Sequence, residues 1–278
     1  MEDAVTTPDA GVIPCVAAPV VLPPRKLVAV CPSVQRLDLV KQLAQSFFEN
    51  KPADLDAALC VAALGPDDGT SEWCASRGIG VMRSEAVVPF AKAVNMTVAH
   101  IEDYDWLLLI NNDVIIQPGY FEALREAIAV GYEIIGSKLL YPNGTIQHFG
   151  KWFTLDFYPF HVLRGQPATH EQAQQPRTVP AVTFAAVAIK REVWQGVGGL
   201  DESYTNGYED DAFCLTAREQ GAQIGVHPGM LATHLESQST GQDTPNKQAM
   251  WRLFKEKWVY SGRIQWALGM LNGWRESA

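Results

Sequence analysis

Four short apolar runs limit what this chain can fold into: KLVAVCP from Lys26, DAALCVAALG from Asp56, GIGVMRS from Gly78 and YDWLLLI from Tyr104. Each has the length and content of a buried strand. Between them lie segments of helical spacing. In RLDLVKQLAQSFFEN the apolar positions are Leu37, Val40, Leu43 and Phe47; a short helix is marked by Asp68 and Thr70 ahead of Glu72, and FAKAVNMTVAHI supplies a third. Strand and helix alternating at this spacing predict an α/β fold with a mostly parallel sheet and helices on both faces.

Past Ile110 the pattern changes. IIGSKLLYPNGTIQHFGKWF reads as a strand, a Pro-Asn-Gly turn and a second strand, a hairpin by its turn chemistry. VTFAAVAIKREVWQGVGGLDESY predicts a strand running into a short helix that closes at Gly198 and Gly199. In TNGYEDDAFCLTAREQGAQIGVHP a helix follows Glu209, Asp210 and Asp211, and the apolar stretch after it stops at Pro228. MLATH is strand-like again and ends in His234. The expected division is a tail over 1–24, one domain over 25–240, and a helical segment over 241–278.

Charge narrows the partners. A net charge of −9 argues against general affinity for nucleic-acid phosphates. Cys15, Cys31, Cys60, Cys74 and Cys214 are spread without a CxxC pair, so they are read as reduced and mostly buried. The opening MEDAVTTPDAG is acidic where a secretory signal is basic, and no apolar run approaches the roughly 20 residues that span a bilayer. The expectation is a soluble, cytoplasmic protein, at most peripheral to a membrane.

In open sheets of this kind ligands bind beyond the carboxyl ends of the strands, where Asn111, Asn112 and Asp113 fall. Two readings fit them: a turn, which favours Asn and Asp, or a hard-oxygen site in which Asp113 holds a divalent cation. Glu209, Asp210 and Asp211 stand together at one helix start. One carboxylate suffices as a cap there, so the excess asks for a bound cation or a proton-transfer role.

Taken in order, the strand ending in Asn111–Asn112–Asp113, PNGTIQHFG, AIKREVWQGVGGLDESYTNGYEDDAFCLTAREQG, His234 with the Ser-Thr after it, and FKEKW resemble the family-2 glycosyltransferases of the GT-A fold, especially the rhamnosyltransferase-like members. The resemblance covers about residues 26 to 258 and is most specific from Ala188 to His234. It implies a GT-A domain with a smaller acceptor-side hairpin and C-terminal helices. It also implies an inverting enzyme that moves a sugar from a UDP- or dTDP-linked donor to a hydroxyl of a glycan, a lipid-linked acceptor or a protein. Mn2+ or Mg2+ would sit on the diphosphate. Residue by residue, Asn111–Asn112–Asp113 takes the place of the DxD metal motif, with Asp113 and His234 as metal contacts. Asp210 takes the place of the catalytic base with Glu209 beside it, and Asn95 that of a donor-pocket residue.

The chain departs from the family pattern in three places. Asn111 stands first in the DxD position, and Ala212 stands where a second Asp often follows the Glu-Asp pair. Ala63, Leu64 and Gly65 stand where an Asp usually contacts the base; Asp67 and Asp68, just after them, are the donor-side carboxylates available. These departures motivate a rival reading, a non-catalytic relic that still binds sugar nucleotides. A nucleotidyltransferase is a third reading, against which CPSVQRLDL offers no glycine.

Two segments add further expectations. Tyr158, Phe160 and His161, in the long loop from Asp156 to Ala181, either shape an acceptor pocket or simply pack. The Trp-rich C-terminal stretch packs on the sheet up to Trp258, and beyond Ser261 suits a membrane or partner contact or self-association.

Overall fold

The computed structural model describes residues 25–236 and 244–266. The expected tail over 1–24, the Ser-Thr pair after His234 and the chain beyond 266 lie outside them.

The strands are β1 (Arg25–Val34), β2 (Ala57–Leu64), β3 (Gly80–Ser84), β4 (Tyr104–Ile110), β5 (Val114–Ile116), β6 (Ile134–Leu140), β7 (Ile146–His148), β8 (Lys151–Phe153), β9 (Pro159–His161), β10 (Arg177–Thr178), β11 (Ala186–Lys190) and β12 (Ile224–His234). The helices are α1 (Leu37–Asn50), α2 (Thr70–Ala75), α3 (Phe90–Val98), α4 (Tyr120–Val130), α5 (Arg191–Val197), α6 (Glu209–Glu219) and α7 (Thr244–Phe254). The main sheet runs β10-β12-β6-β11-β4-β1-β2-β3. β1 lies between β2 and β4 and is parallel to both, β3 extends β2 in parallel, and β12 is parallel to β6. β11 is reversed, antiparallel to β4 on one side and to β6 on the other.

Both faces of the central strands are buried, which is why their sequences read as continuous apolar runs. Period-two alternation sends Val28, Val30, Leu107 and Leu109 into one layer with Val94 of α3, Trp194 of α5 and Phe213 of α6. Leu27, Ala29, Leu108 and Ile110 face the other layer with Leu43 and Phe47 of α1 and Phe121 of α4. Phe254, Trp258 and Ile264 are buried in the first layer, so the described C-terminal segment packs on the domain. Cys31, Cys60, Cys74 and Cys214 are free and buried.

Three local expectations change. β12 does not stop at Pro228: it runs on to His234 through an irregularity between His227 and Leu231, where a residue without an N–H is tolerated. The hairpin forms between β6 and β7, with Leu139 opposite His148, but breaks at Gly150 (φ +98°), so that β8 turns away to pair with β9. The long loop after Asp156 therefore carries β9, a 3₁₀ turn over Glu171–Ala173 and β10.

Candidate active site

Chain order makes the site. From β1 the chain moves outward through β2 and β3, then returns to β4 on the other side of β1. At that reversal the strand ends diverge and leave a crevice, the usual ligand position in such sheets. A cleft of about 440 Å³ opens there, lined by Pro32 and Val34 of β1, Leu64 of β2, Asn111–Asp113 after β4, and Glu209, Asp210 and His234.

One wall is the Asn111–Asp113 turn. The turn reading holds for the backbone, where Val114 donates its N–H to the Asn111 carbonyl at 3.3 Å. The side chains do something else. Asn112 donates to Ser33 Oγ at 2.9 Å, tying the turn to the end of β1. β5 pairs antiparallel with the end of β12, Val114 opposite His234, which brings His234 Nε2 to 3.1 Å from Asp113 Oδ1. Both side chains are buried. His234 Nδ1 lies 2.7 Å from Gln147 Oε1 of β7, and Gln147 Nε2 has no hydrogen-bond partner among the described residues.

The start of α6 also lines the cleft; it follows Tyr208 in the left-handed region (φ +70°). No side chain caps this helix, and all three carboxylates are buried. The cation that three adjacent acids ask for is supplied by the fold: Lys151, the first residue of β8, puts Nζ 2.6 Å from Asp210 Oδ2 and 3.2 Å from Asp211. Asp210 Oδ1 also accepts the Asp211 N–H at 2.8 Å. Glu209 Oε2, in the cleft wall, has no hydrogen-bond partner among the described residues. Asp211, at 2 % exposure, lies behind the cleft.

These surroundings push the three acids apart. Burial pushes Asp210 up, but the charge and hydrogen bond of Lys151 outweigh it and hold this carboxyl below its ordinary value. Glu209 is pushed up to about 8, by burial first and then by the charge of Asp210. Asp211 is pushed up to about 7 by burial, with partial relief from Lys151. Of the two α6 acids that face the cleft, Asp210 is the one ionised near neutral pH, and Glu209 is largely a neutral carboxyl.

A stability prediction follows. The unfolded value of Glu is about 4.3, so Glu209 binds its proton more tightly when folded, and its contribution to stability is lost as pH rises from there through about 8. Glu209→Gln removes that titration. Its urea midpoint relative to the parent should rise steadily between about pH 5.5 and 8.5; a difference independent of pH would contradict the buried-acid assignment.

Other expected residues fall outside the cleft. Asn95 does not face it: its side chain donates to the Leu200 carbonyl at 2.8 Å and to Glu202 at 3.0 Å, and accepts the Leu200 N–H at 2.9 Å. It clamps the glycine turn after α5, where a Cβ on Gly199 would come within 2.8 Å of Asn95 Oδ1. Asp67 and Asp68 line a narrow crevice beside the cleft, with Ser33 and Arg83. Asp68 accepts from the Leu37 N–H at 2.9 Å and the Thr70 hydroxyl at 2.6 Å, so it fastens the starts of α1 and α2. Tyr158 and Phe160 are exposed, and Tyr158 meets Trp251 of α7 edge-on at 5.3 Å. His161 Nδ1 lies 2.9 Å from His148 Nδ1.

The comparisons with known proteins converge. Residues 24–260 match the family described as glycosyltransferase like family 2. The chain is 32% identical over 206 residues to the uncharacterized protein y4gI of Sinorhizobium fredii, covering 68% of this chain and 23% of that protein. It is 28% identical over 166 residues to the O-antigen biosynthesis protein RfbC of Myxococcus xanthus, covering 57% of this chain and 13% of that one. It thus spans less than a quarter of either relative. Among solved structures, GalNAc-T7 with UDP, GalNAc and Mn2+ superposes with a TM-score of 0.66 at 12% identity, over 83% of this chain and 48% of that one. TarS of S. aureus does so with 0.57 at 14% identity, over 84% and 39%. At these identities the likeness is one of fold.

Proposed function

The chain belongs to glycosyltransferase-like family 2 and has the GT-A fold, and on that premise we propose that it transfers a sugar from a nucleoside diphosphate donor to an acceptor hydroxyl with inversion. The observation that carries this reading is the cleft itself. A buried Asp113–His234 pair and the ionised Asp210 line the same cleft. A displacement at an anomeric carbon needs those two things on opposite sides of the sugar: something to receive the departing diphosphate, and a base for the attacking hydroxyl.

Asp210 accepts the proton of the acceptor hydroxyl on a lone pair not used by Lys151. Its low proton affinity keeps it ionised at working pH and weakens it as a base. Glu209, neutral and in the cleft wall beside Asp210, shapes the site without competing for the proton. The donor is UDP- or dTDP-linked, with rhamnose among the candidate sugars. The acceptor is a hydroxyl of a glycan, a lipid-linked glycan or a protein. The catalytic unit is residues 25–240, followed by a separate segment over 241–278.

The Asp113–His234 pair fits a divalent cation, Mn2+ or Mg2+. His234 Nε2 lies 3.1 Å from Asp113 Oδ1 and its Nδ1 lies 2.7 Å from Gln147 Oε1; in the tautomer that carries its proton on Nδ1, Nε2 presents a lone pair beside the Asp113 carboxylate, and a cation there would take both as ligands. Among the described residues no group of three or more His, Cys, Asp or Glu is arranged to hold a metal, so the remaining ligands would come from the donor. When bound, the cation supplies charge stabilisation for the leaving diphosphate. Asp113 and His234 would hold it, and Asn112 with Ser33 holds the turn that carries Asp113.

The test is product release from a panel of UDP-, dTDP- and GDP-sugars with Mn2+. Release of a nucleoside diphosphate, accelerated by an acceptor glycan, is expected. Pyrophosphate released from a nucleoside triphosphate would move the chain to the nucleotidyltransferases, and binding without turnover would make it a relic. Among the described residues no helix is long and apolar enough to cross a membrane. Peripheral contact through the chain beyond Ser261 is part of this reading, as is a cytoplasmic location.

A further inference from the structure

We propose that Lys151 is a positioning residue for the reaction, holding Asp210 ionised and aimed so that it, and not Glu209 or Asp211, receives the proton of the acceptor hydroxyl. The inference rests on the proposed function and goes beyond it to a residue on a different element.

The geometry carries it. Lys151 is buried with a relative exposure of 6 %, and its ammonium contacts Asp210 and Asp211 at 2.6 and 3.2 Å. Its backbone is fixed on both sides, pairing with His161 in β9 and donating its N–H to the Ala181 carbonyl at 2.7 Å. A lysine restrained at backbone and ammonium alike leaves Asp210 little freedom to turn. Asp210 Oδ1 takes the Asp211 N–H, Oδ2 takes Lys151, and the open lone pairs are those left toward the cleft. Asp211 sits behind, with no cleft face, as the second counter-charge that keeps the buried ammonium paired.

The charged and titratable groups facing this pair are few. From the hairpin side they are His148 and His161, from α6 they are Glu209, Asp211 and Cys214, and from the turn before α6 they are Tyr204 and Tyr208, whose phenols burial pushes up and so keeps neutral. Burial, with smaller contributions from their neighbours, drives both histidines well down, His161 to about 3, so neither carries positive charge at neutral pH. Burial likewise pushes the Cys214 thiol up, leaving it neutral. The fixed positive charge next to Asp210 is therefore Lys151; without it the Asp211 N–H still favours the ionised form, but against burial and the neighbouring acids.

The sign follows. Asp210 is held below its unfolded value by Lys151, so activity that needs the ionised form survives to low pH and is lost only as pH falls through that depressed value. In Lys151→Met the acid limb of kcat should move up by more than one pH unit while donor KM changes little. Lys151→Arg keeps the charge and should return the limb to near its original place. Lys151→Met combined with Asp211→Asn removes one charge of each sign and serves if the single variant does not fold.

A second measurement needs no turnover. In protein labelled at the aspartate carboxyl carbon, the Asp210 resonance, assigned by its absence in Asp210→Asn, should titrate below the usual aspartate value of about 3.9, and higher in Lys151→Met. Superimposable acid limbs in parent and Lys151→Met would overturn the proposal, as would an Asp210 midpoint above about 5 in the parent. Failure of the parent to release nucleotide from any donor would overturn the proposed function instead, and the carboxyl titration still decides this inference.

Discussion

Asp210→Asn loses transfer by about 10² to 10⁴ in kcat, the usual range for a general base, while binding donor and cation within a few-fold of the parent. Asn keeps the size of Asp and can still accept the Lys151 ammonium through its carbonyl, and Asp211 remains 3.2 Å from Nζ. Breaking a buried ion pair outright costs about 3–5 kcal/mol; with two of three partners in place the loss should be well below that and visible as a modest drop in thermal midpoint. Glu209→Gln is the comparison, expected to raise KM for a substrate more than it lowers kcat. Asp211→Asn is not the innocuous control that a solvated capping charge would make, because Asp211 is buried against Lys151 and its loss disturbs the same pair. Nucleoside diphosphate release with and without acceptor, beside donor affinity by calorimetry, separates the variants. More than about a tenth of parental kcat in Asp210→Asn, above the general-base range, would pass the role to Glu209.

The second large effect is expected at Asp113. A cation on the leaving diphosphate contributes several kcal/mol of charge stabilisation, which at 1.36 kcal/mol per factor of ten is about a hundred-fold or more in rate. Asp113→Ala should forfeit that, and excess chelator should bring the parent to the same residual rate. His234→Ala leaves the carboxylate in place, so its loss should be recovered in part by raising Mn2+, whereas that of Asp113→Ala should not. Titration of Mn2+ by calorimetry in the presence of donor, beside turnover, reads both. Full activity in chelator would remove the cation from the reading.

How much of this was legible before the fold was known depends on whether the signal was local. The strands β1 to β4 announce themselves because both their faces are buried, and the helices between them have apolar residues at helical spacing. Asp113 stands at a strand end, and the carboxylate triplet is conspicuous by its excess charge. Lys151 was not legible: it sits in the apolar FGKWF with no period of its own, 59 residues from the partner that gives it meaning. The demand for a cation could be read at Glu209–Asp211, but not which residue met it. Asn95 is ambiguous for the opposite reason, since a polar side chain on a helix beside a glycine turn looks alike in sequence whether it binds a ligand or, as its bonds to Leu200 show, a backbone. Pro228 was read as a stop because strand propensity carries no knowledge of a bulge.

The reversed strand β11 has a consequence for how such a chain comes into being. The half-sheet β3-β2-β1-β4 is complete once Ile110 has been made, and β6 follows by Leu140, yet neither can meet the other. The strand that joins them is Ala186–Lys190, and until it arrives the free edges of β4 and β6 stand open with their N–H and C=O groups unpaired. During synthesis, which runs from the N-terminus at about 5–20 residues per second, the nascent domain therefore waits with two apolar edges exposed while the intervening hairpins emerge. His234, at the end of β12, comes later still, so the chain is vulnerable to edge-to-edge association before it has any site to protect. Expression at lower temperature or with chaperones that shield strand edges acts on that interval, not on the stability of the finished fold.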